Sequence, residues 1–216
     1  MVGGDASIAI ASEAERYVGR GGDKLHAALE AFPVTVAGAS ALDVGASTGG
    51  FTDCLLQAGA AAVVALDVGY GQLHWGVRSD ERVTIVERTN FRYVQPADIG
   101  APFDVVVMDV SFISVALLAV QLAAVGREDT DYLILVKPQF EVGKGEVGKG
   151  GIVRDPAQHS KAIISAAEAL QKAGIGVLGA VPSPIMGSKG NREFLLWGRL
   201  GAPGEDPLRL AEAVVT

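Results

Sequence analysis

The sequence predicts a doubly wound α/β domain on a mostly parallel, seven-stranded sheet. Three observations carry that expectation. Short apolar runs alternate with helical patterns through most of the chain. A glycine-rich turn follows the first apolar run. The last two apolar runs have no helix between them, so the chain should close on an antiparallel pair.

Residues 1–19 have small side chains and weak periodicity, and read as a tail or linker. A helix is expected from about Asp23, with Leu25, Ala28, Leu29 and Phe32 on one face and Pro33 closing it. Residues 41–45 form an apolar run ending in glycine, the form of a strand buried in a parallel sheet. Helical residues 51–58 follow, stopped by Gly59. Strands are expected over 62–67, 83–86 and 103–109, then a helix over 115–125 and a strand over 132–136. Asp155-Pro156 supplies an N-cap and a first-turn proline. Behind it, Ile163, Ile164, Ala167 and Leu170 share one face until Gly174. Residues 176–181 and 193–197 are the closing strands. The folded domain should span 20–202, leaving 203–216 as a second tail.

The chain has 216 residues, 49% hydrophobic and 20% charged, which suits one domain with a full core and excludes disorder. Its longest apolar stretches, 58–66 and 115–125, are too short to cross a bilayer. Val-Gly-Gly-Asp after Met1 is not the start of a signal peptide, so a cytoplasmic location is expected. The single cysteine, Cys54, excludes an internal disulfide and reads as a packing residue. His26, His74 and His159 lack metal-ligand spacing, and no metal is expected. A net charge of −7 counts against a domain that grips nucleic acid unaided, because such affinity comes largely from phosphate neutralisation. It leaves room for a catalytic domain delivered to nucleic acid by something else.

The turn after the first strand reads Asp43-Val-Gly-Ala-Ser-Thr-Gly-Gly-Phe-Thr-Asp53. Glycines there let backbone approach a ligand, and the following helix offers free N–H groups. Gly45, Gly49 and Gly50 match neither the dinucleotide pattern G-x-G-x-x-G nor a P-loop. The second strand ends in Asp67, 22 residues beyond Gly45, placed to accept from two ribose hydroxyls. Together these features mark an S-adenosylmethionine site. They say nothing about the substrate.

The substrate side lies at the ends of the fourth and fifth strands. The fourth ends Val107-Met-Asp109-Val-Ser-Phe112, without the Asn/Asp-Pro-Pro-Tyr/Phe of amino-group methyltransferases. The fifth ends Val136-Lys-Pro-Gln-Phe-Glu141, placing Lys137 at the end of a buried strand, where packing alone rarely puts a lysine. A buried ammonium beside another cation can yield its proton and act as a base. Asp109 and Lys137 share one sheet edge, so their side chains can meet above it. The doubled segment Glu141-Val-Gly-Lys-Gly145, Glu146-Val-Gly-Lys-Gly150 reads as a mobile loop, or as a lid whose Lys144 and Lys149 meet phosphates.

Seven segments carry a resemblance to a known family. They are Arg20-Gly-Gly-Asp-Lys24-Leu, Leu42-Asp-Val-Gly-Ala-Ser-Thr-Gly-Gly-Phe-Thr-Asp53, Ala65-Leu-Asp-Val-Gly-Tyr-Gly-Gln-Leu73 and Glu87-Arg-Thr-Asn-Phe-Arg92, then Met108-Asp-Val-Ser-Phe-Ile113, Val136-Lys-Pro-Gln-Phe-Glu141 and Gly190-Asn-Arg-Glu193. In order, from about residue 17 to 200, they resemble the TlyA (haemolysin-A-like) family of FtsJ-type ribosomal RNA 2′-O-methyltransferases. The resemblance implies a Rossmann-like class I methyltransferase fold with S-adenosylmethionine as cofactor. It also implies ribosomal RNA or ribosomal subunits as partner, and ribose, in the family's case of a cytidine, as acceptor. Its Lys-Asp-Lys-Glu catalytic set falls on Lys24, Asp109, Lys137 and Glu193. The cofactor contacts implied are Asp43, Gly45, Ala46, Ser47, Thr48, Gly49, Gly50, Phe51, Asp67, Val68, Asn90 and Asp109, with Asn90 near the adenine. Family members normally begin with an S4-like RNA-binding domain, and residues 1–19 do not resemble one, so weak RNA affinity is expected. No basic amphipathic helix supports a membrane partner. A non-catalytic cofactor- or RNA-binding assembly domain and a small-molecule O-methyltransferase are the alternatives.

Overall fold

The computed structural model describes residues 16–215. The expected tail over residues 1–15 lies outside the described residues. One sheet of seven strands runs through the domain in the order β3-β2-β1-β4-β5-β7-β6. The strands are β1 (Ser40–Val44), β2 (Ala62–Leu66), β3 (Val83–Val86), β4 (Phe103–Met108), β5 (Gly126–Val136), β6 (Ile175–Pro182) and β7 (Phe194–Leu200). All neighbours pair in parallel except β7, which runs antiparallel to both β5 and β6. The helices are α1 (Gly21–Ala31), α2 (Gly50–Gln57), α3 (Trp75–Arg78), α4 (Ala119–Ala124), α5 (Pro138–Glu141), α6 (Pro156–Lys172) and α7 (Pro207–Glu212).

Alternation along the central strands splits the core into two faces. Leu42, Val44, Val106, Met108, Ile134 and Val136 point to one face, where they meet Leu122 of α4 and Ile163, Ala167 and Leu170 of α6. Ala41, Val63, Val105, Val107, Leu133 and Leu135 point to the other, against Leu25 and Ala28 of α1 and Phe51 and Leu55 of α2. A sheet buried on both faces favours apolar residues at successive positions, hence the runs over residues 105–108 in β4 and 132–136 in β5.

Four expectations change. Within the expected 203–216 tail, the described residues 203–215 are not a tail: Asp206 caps α7 by accepting from the Leu208 N–H, and Leu210, Ala211 and Val214 bury themselves on the α6 side. Residues 16–19 also join the fold, because Tyr17 is buried against α1 and α2. The 115–125 helix is broken: Ser114 caps a 3-10 turn over Val115–Leu117, and α4 starts only at Ala119. β5 begins at Gly126, six residues early, through a polar stretch whose register shifts before Asp131 pairs with Val105.

Candidate active site

Register determines which side chains meet at the carboxyl edge of the sheet. Val44 lies beside Leu66 and Met108, so Gly45, Asp67 and Asp109 leave the sheet side by side. β5 runs two residues beyond Ile134, the partner of Met108, and its next residue is Lys137. Val136 pairs with Phe194, which sets Glu193 opposite Lys137. Because β7 is antiparallel, its beginning reaches the edge where the other strands end.

Lys24 comes from α1, outside the sheet. The start of α1 lies directly on the start of α2, and a Cβ on Gly50 would sit 2.9 Å from the Gly22 nitrogen. That backbone approach brings Lys24 over the sheet edge.

The four charged residues form one chain of contacts. Lys24 Nζ donates to Glu193 Oε2 at 2.6 Å and lies 3.9 Å from Asp109 Oδ2. Lys137 Nζ is 2.5 Å from Asp109 Oδ1 and donates to Ser111 Oγ at 3.0 Å. Lys24 and Glu193 are buried, at 6% and 3% exposure. Lysines and carboxyl groups alternate along the chain of contacts, and Asp109 stands between the two lysines.

These four residues line a cavity of about 490 Å³ with Gly45, Ala46, Ser47, Thr48, Gly50 and Phe51. Arg20, Gly21, Ser111 and Ser188 complete its wall, and no pattern in the sequence marks Gly21, Ser111 or Ser188 as site residues. Ser111 was visible within the Asp109 motif, but nothing in its spacing announced a bond to Lys137.

The glycine loop fits the amino-acid end of a cofactor. Gly45 has φ +88°, and a Cβ there would lie 2.5 Å from the Asp109 carbonyl oxygen, so only glycine lets the β1 and β4 ends meet. Gly49 caps α2 with φ 95° and leaves the helix N–H groups free of any side-chain cap. Asp43 lies fully buried beneath the loop. Thr52 Oγ1 donates to its Oδ2 at 2.6 Å, while Oδ1 has no partner. An orphaned acceptor under a glycine loop suits a cationic ligand.

Burial pushes the Asp43 carboxyl up to about 7, against the Thr52 hydrogen bond and with help from Asp109. A raised folded-state value means that this group's contribution to stability is full below about pH 4 and is lost as pH rises to about 7. Asp43→Asn should therefore melt progressively higher than wild type as pH rises across that window, with a constant gap above it. Melting curves from pH 4 to pH 8 measure this, and a gap independent of pH would refute it.

The remaining expected cofactor residues lie apart from the main cavity. Asp67 accepts from the Ser47 N–H at 2.8 Å and the Gly69 N–H at 2.6 Å, in a narrow crevice shared with Tyr70 and Gln72. Val68 is exposed. Asn90 is exposed, accepts from the Arg92 N–H, and lines a separate hollow with Arg88 and Tyr93. The doubled glycine segment folds as two 3-10 turns, Lys144–Glu146 and Lys149–Gly151, with Lys149 exposed. Cys54 is buried and its thiol is pushed up to about 11 by desolvation, as befits a packing residue.

Comparison with known proteins decides the family. The model of the FtsJ-like methyltransferases matches residues 17–200. A Mycobacterium tuberculosis protein, "16S/23S rRNA (cytidine-2'-O)-methyltransferase TlyA", is 50% identical over 194 residues, covering 89% of this chain and 72% of that protein. The chain belongs to the TlyA, or haemolysin-A-like, family of FtsJ-type methyltransferases. A solved structure from Streptococcus thermophilus with a haemolysin designation is 42% identical, with a TM-score of 0.89 over 94% of this chain and 74% of its own. Magnesium protoporphyrin IX methyltransferase from Synechocystis, solved with bound SAH, shares the fold at 15% identity and a TM-score of 0.58, over 83% of this chain and 81% of its own. The seven-stranded order with antiparallel β7 is that of class I methyltransferases. Among the described residues of this TlyA-family chain, no helix is long and apolar enough to cross a membrane.

Proposed function

We propose that the chain methylates the 2′-hydroxyl of a cytidine ribose in ribosomal RNA. The observation that carries this reading is the Lys24–Asp109–Lys137–Glu193 cluster at the wall of the cavity beside the glycine loop. Half-identity to a relative named for that reaction supports it.

S-adenosylmethionine, when bound, supplies an already activated, positively charged methyl group. Residues 45–51 would hold its amino-acid end through backbone groups, and Asp67 its ribose. Val68 and Asn90 would border the adenine. An alcohol is a weak nucleophile at neutral pH and must lose its proton as it attacks. Lys137 Nζ, as the neutral amine left once it has released its own proton to solvent, is the group assigned to receive the hydroxyl proton, and Asp109 at 2.5 Å would hold the ammonium that results. Lys24, tethered by Glu193, would orient the ribose. Positioning of the acceptor in line with the methyl group would supply much of the rate.

The test is incubation with isolated ribosomal subunits and methyl-labelled S-adenosylmethionine. Label recovered as 2′-O-methylcytidine is expected, and no label on either subunit would overturn the proposal. With a net charge of −7, these 216 residues would hold RNA weakly at physiological salt and act in the cytoplasm, where ribosomes are found.

Asp67→Ala should weaken cofactor binding at least tenfold. A charge-assisted hydrogen bond is worth on the order of 1.5–3 kcal/mol, and the variant also releases Ser47 and Gly69. Calorimetry measures this directly, and unchanged affinity would remove Asp67 from the site.

A further inference from the structure

We infer that Glu141 is a positioning residue that fixes the loop after β4 over the acceptor side of the site. The inference rests on the methyl-transfer reading above. The segment 137–141 holds that loop at two points. At its first residue, Lys137 meets Asp109 and Ser111. At its last, Glu141 Oε2 accepts from Ser114 Oγ at 2.6 Å and Oε1 from the Val115 N–H at 2.9 Å. Ser114 is thereby oriented to cap the 3-10 turn, its Oγ accepting from the Ala116 N–H at 3.2 Å.

Between the two points stands Phe112, in the left-handed region at φ 66° and 86% exposed. A bulky residue in that conformation costs free energy and persists only where its surroundings impose it. The double clamp imposes it. Phe112 leans on Phe140 with ring centroids 5.0 Å apart, and both line a second cavity of about 190 Å³. That cavity opens beside the first and shares Ser111, Lys137, Ser188 and Glu193 with it. Glu141 touches neither cavity, and it acts through Ser114 and Val115. Burial raises its carboxyl, against the hydrogen bonds from Ser114 and the Val115 N–H.

The experiment compares Glu141→Ala, Glu141→Gln and wild type in three measurements. Amide hydrogen exchange without RNA should speed up at residues 112–117 in Glu141→Ala. Cofactor affinity should stay within about twofold. KM for ribosomal substrate should rise about tenfold or more. Glu141→Gln keeps an acceptor for the Val115 N–H and should recover most of the loss. Unchanged exchange at residues 112–117, unchanged KM, or cofactor affinity falling in step with activity would each overturn the inference. A wild-type chain that transfers no methyl group to ribosomal RNA would overturn the functional reading instead, and the exchange measurement would still decide the clamp.

Discussion

Lys137→Ala should lower methyl transfer by at least about 100-fold, the range ascribed to a positioned general base, while cofactor affinity stays within about twofold. The separation is expected because Lys137 contacts Asp109 and Ser111, whereas the cofactor is assigned to backbone groups of the glycine loop and to the Asp67 carboxylate. Lys137→Arg should be almost as inactive. Guanidinium keeps its proton at neutral pH and, being planar and longer, cannot repeat the paired contacts to Asp109 Oδ1 and Ser111 Oγ. Single-turnover assays on ribosomal subunits distinguish the cases. A Lys137→Arg variant with near wild-type turnover would reduce the residue to an electrostatic anchor.

Lys24→Ala should combine lost activity with a loss of about 3–5 kcal/mol of stability, because removing one partner of a buried ion pair leaves the other charge uncompensated. Glu193, at 3% exposure, has Lys24 as its ion-pair partner among the described residues. A Lys24→Met, Glu193→Leu double variant should recover much of that stability, since a well-packed apolar pair is often no worse than a buried ionic one. It should not recover turnover. Urea unfolding and the methylation assay, run together, check both statements. An unfolding midpoint for Lys24→Ala equal to wild type would show that water reaches Glu193 more freely than its burial implies.

Much of this architecture is legible in the sequence because buried parallel strands announce themselves. Residues 83–86 are a strand with the bounds their apolar run suggests, and Asp67 and Asp109 follow their strands directly. The glycine loop is legible because Gly45 occupies a position where any Cβ would strike the next strand end. Contacts that depend on distant partners are not. Lys24 and Glu193 stand 169 residues apart, and no local pattern couples them. α7 is only six residues long, too short for a periodicity to show, and its apolar face is recognised only against α6. The polar start of β5 reads as a loop, because its hydrogen-bonding to Phe103 is a tertiary event. Asn90 is a milder case. It sits beyond β3 as expected, yet its side chain is spent on capping the next turn.

The reversed direction of β7 has a consequence for how the enzyme is made. Lys24 emerges before every strand of the sheet, and the strand that delivers Glu193 emerges after all the others. A nascent chain can assemble β1, β4 and β5 with their helices, but Lys24 then faces the sheet edge without its carboxylate, and β5 lacks its antiparallel neighbour. Pairing of such sequence-distant segments is the slow part of folding. The last strand to be synthesised is inserted between β5 and β6, not added at the margin. A chain that has released β1 to β6 but not β7 therefore still lacks both an inner strand of its sheet and the buried carboxylate partner of Lys24.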